Sequence, residues 1–257
     1  MEKAYKTKFI AIFVLVGCIA LSILYLVMTN FFGQRKDVAV AEPTPTAQVT
    51  APPTPFPTYE PTPTPVIIDI DTTESIQKLV NVNRTLSETY VPSDLVQPNV
   101  SSNGSQLIRT EAATALENMF NAASEAGYPL KLLSGYRSYT DQVSLWWTYQ
   151  DTYGYAYTNR MDSHPGYSEH QLGLAVDVGY NGGYCQLRNC FGISAAGMWL
   201  QEHAHEYGFI LRYPDGKEGV TGIMYSPWHY RYVGIDEATG MHNASMTMEE
   251  YYAQPIQ

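Results

Sequence analysis

A stretch rich in proline and threonine divides this chain. From Glu42 to Val66 the two residue types often alternate, as in Pro43-Thr44-Pro45-Thr46. Proline fixes its own φ angle, lacks a backbone donor and restricts the preceding residue, so no packed core can form here. We predict that residues 37–66 are an extended, semi-rigid spacer that separates what precedes it from a domain that follows.

An uncharged apolar segment precedes the spacer. Phe9–Phe32 contains no charged residue and is dominated by Ile, Leu, Val and Phe. A helix of about 20 such residues crosses the hydrocarbon of a bilayer. Residues 1–36 are therefore predicted to form a cytoplasmic N-terminus and a single-pass cell-membrane anchor, with the C-terminal domain outside the cytoplasm. The orientation follows from a small excess of flanking basic residues on the N-terminal side, Lys3, Lys6 and Lys8 against Arg35 and Lys36.

Two other interpretations of this apolar segment stay open. One is a signal peptide cleaved after Ala39-Val40-Ala41, and the other is a lipoprotein signal with Cys18 as the lipidated residue. The apolar run is longer than the usual signal core of about 7–15 residues, and Ala41 lies far beyond it. Length therefore favours the uncleaved anchor.

Size and charge limit the remaining choices. The chain has 257 residues, 45% of them hydrophobic, which suffices for one core of ordinary size outside the anchor and spacer. The formal net charge is -10 and no basic cluster is present, so nucleic acid is a poor partner.

One folded domain is predicted over residues 67–257. Three segments have helical periodicity with polar caps at their starts, and glycines follow the first and third. The first helix has Leu116, Met119, Phe120 and Ala123 on one face. The predicted helices run from a Thr110 cap to Ala126, from a Ser138 or Thr140 cap with Val143, Trp146 and Trp147 on one side, and from Ser194 to Tyr207.

Short strand-like segments lie between and after these helices, at Leu130–Ser134, Leu174–Val178 and Trp228–Val233. Helices and strands do not alternate regularly along the chain. This order predicts an α+β fold.

Two cysteines, Cys185 and Cys190, fall in the domain. An oxidising compartment outside the cytoplasm favours a disulfide between them. Two free thiols, or a metal-binding pair, are the alternatives.

The segment Ser168–Asp177 contains two residues that can bind a metal. It offers the imidazole of His170 and, after a turn at Gly173, the carboxylate of Asp177. A later strand supplies His229. Two imidazoles and one carboxylate form a three-ligand set for zinc that leaves a fourth position for water, as catalytic zinc sites require.

Three sequence motifs resemble those of a known family. They are S-x-H-x-x-G-x-A-x-D at 168–177, P-W-H-Y-R-Y-V-G at 227–234 and S-G-Y-R-S-Y-T-D-Q at 134–142. Together they resemble the zinc D-alanyl-D-alanine carboxypeptidases of the VanY type, over roughly residues 75–235. The resemblance implies a small antiparallel sheet flanked by helices, the metallopeptidase fold shared with lysostaphin-like enzymes and the hedgehog signalling domain.

The resemblance also implies roles for individual residues. Zinc is expected on His170, Asp177 and His229, and Arg137 is expected to stabilise the oxyanion that develops at the scissile carbonyl. The implied activity removes the terminal D-Ala from a peptidoglycan stem peptide, across either a D,D or an L,D bond. The residues expected to contact that peptide are Ser168, Gln142 and Tyr136.

One position departs from the family pattern. A glutamate that serves as general base normally stands three residues before the last zinc ligand, and this chain has Ser226 there. A serine hydroxyl does not accept a proton near neutral pH, and lost proton transfer typically costs about 10²- to 10⁴-fold in rate. Another base, a binder without catalysis or a deliberately altered residue each account for Ser226; the candidate bases are Glu218, Asp215, His164 and Glu169.

Two functional hypotheses follow. The first is an anchored zinc carboxypeptidase that trims D-Ala from cell-wall peptides. The alternative is a non-catalytic zinc-containing module that binds or senses such peptides. A purely structural zinc is disfavoured because the predicted site keeps an open position and an arginine opposite it.

Overall fold

The computed structural model of this protein describes residues 68–253. The predicted anchor, the alternative signal sequences and the spacer lie outside these residues. Within 68–253, no helix combines the length and apolar character needed to cross a membrane.

Six short strands form two antiparallel sheets in the described part of the chain. A two-stranded sheet pairs β1 with β2, and the larger sheet has the order β3-β4-β6-β5. The predicted mixture of helices with a small antiparallel sheet is confirmed. The strands are β1 Leu95–Val96, β2 Ile108–Arg109, β3 Leu130–Ser134, β4 Ala175–Tyr180, β5 Phe209–Leu211 and β6 His229–Tyr232.

Seven α-helices accompany the sheets in residues 68–253, with three 3₁₀ turns at Glu169–Leu172, Asn189–Phe191 and Ala204–Tyr207. The helices are α1 Thr110–Glu125, α2 Tyr139–Tyr153, α3 Tyr155–Met161, α4 Ala195–His203, α5 Glu218–Thr221, α6 Ile235–Ala244 and α7 Met248–Tyr251.

Helix α1 supplies much of the main core. The predicted face is correct, since Leu116, Met119, Phe120 and Ala123 are all buried. The predicted cap is wrong, because Thr110 is the first helical residue and Arg109 occupies the N-cap position without a side-chain cap. The Thr110 hydroxyl instead donates to the carbonyl of Asp94 at 2.8 Å. This bond ties the start of the helix to the segment before β1.

Helix α2 begins at a genuine cap, since the Ser138 hydroxyl accepts from the backbone N–H of Asp141 at 3.1 Å. Trp146 is buried and its ring lies 3.8 Å from that of His164, centroid to centroid. Trp147 is 56% exposed, so the prediction that it lies on the same side of the helix as Trp146 is wrong. Adjacent residues of an α-helix are about 100° apart, and the two rings therefore cannot share one face.

The helix predicted over Ser194–Tyr207 is divided. Ser194 caps α4 by accepting from the backbone N–H of Gly197, and a 3₁₀ turn follows at Ala204–Tyr207. The turn ends at Gly208, whose φ of 81° is the left-handed conformation that glycine favours.

The predicted disulfide is present. Cys185 and Cys190 are joined with their Cα atoms 5.6 Å apart. They close a small loop between β4 and α4, so this loop is covalently restrained at the edge of the pocket described below.

Candidate metal centre and pocket

Strand pairing places two of the predicted zinc ligands side by side. Asp177 on β4 is the direct partner of His229 on β6 in the antiparallel register, and Ser134 on β3 pairs with Asp177 from the other side. The Nδ1 atom of His229 lies 3.1 Å from Oδ1 of Asp177. The sheet ladder thus brings together residues that are 52 positions apart in sequence.

His170 reaches the same point from the 3₁₀ turn before β4. The turn ends at Gly173, which has a φ of +67°. A Cβ there would lie 2.8 Å from Cδ2 of Leu95, a side-chain end that can shift, so the positive φ is the main reason for glycine. As a result, Nε2 of His170 lies 3.3 Å from Oδ2 of Asp177.

The hydrogen bonds assign the imidazole protons. His170 Nδ1 lies 2.7 Å from the carbonyl oxygen of Gly135, which can only accept, so Nδ1 carries the hydrogen. The Nε2 lone pair of His170 then faces a carboxylate oxygen of Asp177. In the neutral imidazole two acceptors face each other at 3.3 Å, and either a proton on Nε2 or a metal cation between the two atoms makes this arrangement favourable.

A divalent metal fits this donor set. One ligand atom from each of His170, Asp177 and His229 lies within 4.8 Å of the others, and all three residues are buried. Burial lowers the pKa of the His170 imidazole, which favours the neutral form that binds metals. Burial raises the pKa of the Asp177 carboxyl, but the neighbouring histidines outweigh it and the pKa lies below its usual value. Two nitrogens and one oxygen suit zinc with an open coordination position.

A buried group of four charged residues lies behind His229, and we call it the Arg–Glu cluster. Glu169 accepts through Oε1 from Arg212 Nε at 2.8 Å and from Arg231 Nη1 at 2.9 Å. Arg212 donates to both carboxylate oxygens of Glu249, at 2.9 and 2.6 Å. The other oxygen of Glu169, Oε2, lies 3.6 Å from Nε2 of His229. The cluster therefore contacts the ring atom of His229 that does not face Asp177.

An open pocket of about 540 Å³ lies over the three predicted ligands. One wall is a row of tyrosines on α2 and α3, with ring centroids 6.0 and 5.6 Å apart along the row Tyr149, Tyr153 and Tyr157. Residues 186–189 of the disulfide loop line the same pocket. Arg137, Ser168 and Ser226 also line the pocket.

Comparison with known proteins identifies the family to which this fold belongs. The family model "VanY: D-alanyl-D-alanine carboxypeptidase" matches residues 105–235. The chain is 42% identical over 188 residues to "Putative carboxypeptidase YodJ" from Bacillus subtilis (strain 168); the match covers 71% of this chain and 69% of YodJ. The chain belongs to the VanY family of D-alanyl-D-alanine carboxypeptidases.

Relatives within the VanY family extend the comparison. The bifunctional D-Ala-D-Ala dipeptidase and carboxypeptidase VanXYC of Enterococcus gallinarum is 36% identical, over 68% of this chain and 92% of that protein. The solved LdcB LD-carboxypeptidase superposes with a TM-score of 0.67 at 41% identity, covering 72% of this chain and 88% of that structure. A Glu-to-Ala mutant of the D,D-pentapeptidase VanY from a VanB-type cassette, solved with Zn(II), gives 0.59 at 33% identity, covering 68% and 97%.

Arg137 lines the pocket close to the predicted ligands of this VanY-family site. Its Nη2 lies 3.9 Å from Oδ2 of Asp177 and donates to the Ser134 hydroxyl at 3.0 Å. Its Nη1 donates to the side-chain oxygen of Gln142 at 2.9 Å. These contacts hold the guanidinium in one orientation at the pocket floor.

Gln142 and Tyr136 do not lie where the family resemblance led us to expect. Gln142 is buried beneath Arg137, and its amide nitrogen donates to Asp162 and to the Ser163 carbonyl, so its polar atoms are already used. Tyr136 does not line the pocket, and its hydroxyl is buried without a partner among the described residues. Gln142 therefore orients Arg137, and the structure gives Tyr136 no contact with the pocket.

Ser226 lies at the pocket in the loop before β6 and is 3% exposed. Its hydroxyl donates to the carbonyl oxygen of Met224 at 3.0 Å. The hydroxyl proton is therefore directed at the backbone. This geometry agrees with the expectation that Ser226 does not act as a general base.

None of the four substitute bases considered from sequence is placed for that role. Glu218 pairs with Arg160, and Asp215 lines a separate cavity. His164 packs on Trp146 and binds Asn159. Burial raises the pKa of Glu169, but Arg212 and Arg231 outweigh it and hold the pKa below its ordinary value.

A pocket carboxylate that sequence reasoning missed is Asp162. It lines the pocket, accepts from Gln142 Nε2 at 3.2 Å and from the backbone N–H of Ser163 at 2.8 Å, and is partly buried. It follows α3 in a loop that belongs to none of the quoted motifs, so nothing in the sequence indicated that Asp162 lies at the site. Its position depends on how α2 and α3 pack.

Proposed function

We propose that this domain is a zinc carboxypeptidase that removes the terminal D-Ala from a peptidoglycan stem peptide. One observation carries the proposal: two imidazoles and a carboxylate converge on a single point at the floor of an open pocket, with the Arg137 guanidinium beside them. Relatives that are named as carboxypeptidases or D,D-peptidases share the fold at 33–42% identity.

In this proposal the metal ligands and Arg137 have different roles. A zinc ion held by His170, Asp177 and His229 supplies Lewis acidity toward a peptide carbonyl. Arg137, oriented by Gln142 and Ser134, presents a fixed positive fork to the oxygen on which negative charge develops. Preorganisation matters here, because a donor that is already aligned need not reorient during the reaction.

Recognition of the peptide falls to the pocket walls. Ser168 lines the pocket and is proposed to contact the terminal residue. The tyrosine row offers apolar ring faces with polar tips, which suits a peptide that is partly exposed to water.

Proton acceptance is assigned to Asp162 in this proposal. Three acidic residues line the pocket: Asp162, Glu169 and Asp177. Asp177 is used as a ligand, and Glu169 accepts from two arginines. Asp162 is thus the lining carboxylate that remains able to take a proton from an attacking water.

The alternative function, binding of a D-Ala-ended peptide without hydrolysis, has a specific observation in its favour. Ser226 replaces the usual glutamate and donates its proton to Met224. The pocket and the metal ligands are retained all the same.

One experiment separates the two functions. The zinc-loaded protein is incubated with a stem pentapeptide ending in D-Ala-D-Ala and with the tetrapeptide, and free D-Ala and peptide affinity are measured for wild type and Asp162→Asn. Release that Asp162→Asn abolishes, with peptide affinity retained, supports the carboxypeptidase. Binding without release by either protein supports the binder. Absence of binding to both peptides rejects both functions.

The location of the domain is a proposal as well. We propose that Phe9–Phe32 anchors the chain and that residues 37–66 hold the domain outside the cytoplasmic membrane. The disulfide supports this location, because such bonds persist in oxidising compartments. Protease added to intact cells is expected to remove the domain, and protection of the domain until lysis would contradict this topology.

A further inference from the structure

We propose that Glu249, on the C-terminal helix α7, is a positioning residue for the metal centre. It acts on the ligand His229 through Arg212 and Glu169. Glu249 lies beyond residues 105–235, the part matched by the family model. The inference rests on the proposed function only in taking zinc as the metal.

A continuous chain of contacts links Glu249 to His229. Both carboxylate oxygens of Glu249 accept from Arg212, at 2.9 and 2.6 Å. The Nε of the same guanidinium donates to Oε1 of Glu169 at 2.8 Å. This leaves the second oxygen of Glu169 facing Nε2 of His229 at 3.6 Å.

The last link of this chain is defined by two otherwise unpartnered atoms. Glu169 Oε2 and His229 Nε2 are both buried, and neither has a hydrogen-bond partner in residues 68–253. Each is therefore the polar group available to the other. A carboxylate in that position fixes the ring orientation of a metal-binding histidine and raises its basicity.

The charge balance of the Arg–Glu cluster explains how Glu249 can affect the metal centre without contacting it. The Arg–Glu cluster holds two arginines and two glutamates, so its net charge is zero, and its ion-paired side chains are fully buried. Removing the charge of Glu249 leaves one uncompensated buried positive charge. Glu169 is then the one carboxylate paired with Arg212 among residues 68–253, and this stronger demand draws that carboxylate away from His229 and disfavours a cation at the centre.

The same cluster also joins distant segments, which is the purely structural alternative. Arg231 donates to the carbonyls of Ile76 and Lys78, and Asn81 donates to Glu249 at 3.2 Å. A structural role predicts lower stability with unchanged zinc affinity. A positioning role predicts weaker zinc binding in a folded protein.

The neighbouring glutamate offers a matched control. Glu250 pairs with Lys217 at 2.7 Å on the partly exposed side of α7, and its side chain makes no hydrogen bond or ion pair with the cluster. Glu249→Gln and Glu250→Gln therefore make the same chemical change one residue apart. Zinc affinity is measured on the full chain by competition with a chromophoric chelator, and folding is monitored by circular dichroism.

Zinc affinity is expected to fall by about 10- to 100-fold in Glu249→Gln, the range typical of lost support for a metal ligand. Glu250→Gln is expected to match wild type. Wild-type zinc affinity in folded Glu249→Gln overturns the proposal. If Glu249→Gln does not fold, Asn81→Ala decides, since it removes one hydrogen bond to Glu249: a weaker affinity supports the proposal and an unchanged one overturns it.

The experiment distinguishes failure of the positioning role from failure of the proposed function. A wild-type protein that binds no zinc defeats both. A wild-type protein that binds zinc, together with a Glu249→Gln variant of equal affinity, defeats only the positioning role.

Discussion

The carboxylate of Glu169 lies 3.6 Å from Nε2 of His229, on the side of the ring opposite Asp177. From sequence, Glu169 was a possible substitute base because it adjoins a predicted ligand. Its contacts with Arg212 and Arg231 give it a different position, behind the metal centre and out of solvent. A carboxylate so placed supports a ligand and does not accept protons from a substrate.

Removal of any one predicted ligand is expected to abolish stoichiometric zinc binding. His170→Ala, Asp177→Ala and His229→Ala each leave two donors where zinc requires at least three from the protein. Metal content of the purified variants, measured by plasma emission spectrometry, checks this. His205→Ala is the control, because His205 stacks on His242 away from the site; a full zinc complement in any ligand variant would refute the assignment.

Restoring the family glutamate is expected to increase hydrolysis. Ser226→Glu places a carboxylate three residues before His229, and general-base catalysis typically contributes about 10²- to 10⁴-fold. The rate of D-Ala release from a stem peptide measures the gain. Ser226→Gln matches the shape without the charge and should show no gain; equal rates in the two variants would mean that this position does not govern proton transfer.

Loss of Arg137 is expected to slow turnover while zinc stays bound. Removing one oxyanion donor typically costs about 10²- to 10³-fold in kcat. Arg137→Gln is best measured in the Ser226→Glu background, where turnover is expected to be highest. Arg160→Gln serves as the control, because Arg160 pairs with Glu218 outside the pocket. An unchanged kcat in Arg137→Gln would exclude the proposed role.

The charge of the peptide is expected to affect its affinity through Arg188. This exposed residue lines the pocket in the disulfide loop, and its side chain has no partner among residues 68–253. A guanidinium can bind a carboxylate with two hydrogen bonds. Stem peptides with a free side-chain carboxylate should therefore bind more tightly than their amides, and Arg188→Gln should remove the difference. Lys131→Gln, outside the pocket, should preserve it.

The sequence predicted the meeting of the three candidate ligands better than it predicted their surroundings. His170, Asp177 and His229 occur in short motifs, and strand pairing between β4 and β6 then dictates their proximity. Gln142 and Tyr136 also occur in a motif, but the direction of their side chains depends on how α2 packs on the sheet. Motif membership therefore located these two residues near the site without defining their contacts.

Long-range burial explains what sequence reasoning missed. Asn81 and Glu249 meet across 168 positions, and neither belongs to the three quoted motifs. Asp162 reaches the pocket because the chain turns at Gly154, between α2 and α3. In the sequence these residues cannot be told apart from other polar residues, because their contacts form only when distant segments pack together.

The candidate metal ligands Asp177 and His229 lie on paired strands, whereas Ser226 lies in a loop, and this difference has an evolutionary consequence. Asp177 and His229 are held by backbone pairing in the centre of the sheet, whereas Ser226 occupies an irregular segment that makes no strand pairs. Substitution of the loop residue during evolution can therefore change the reactivity of the site while the strands that hold the metal ligands stay unchanged. In such an architecture, enzymes and receptors for the same ligand can differ by a single codon.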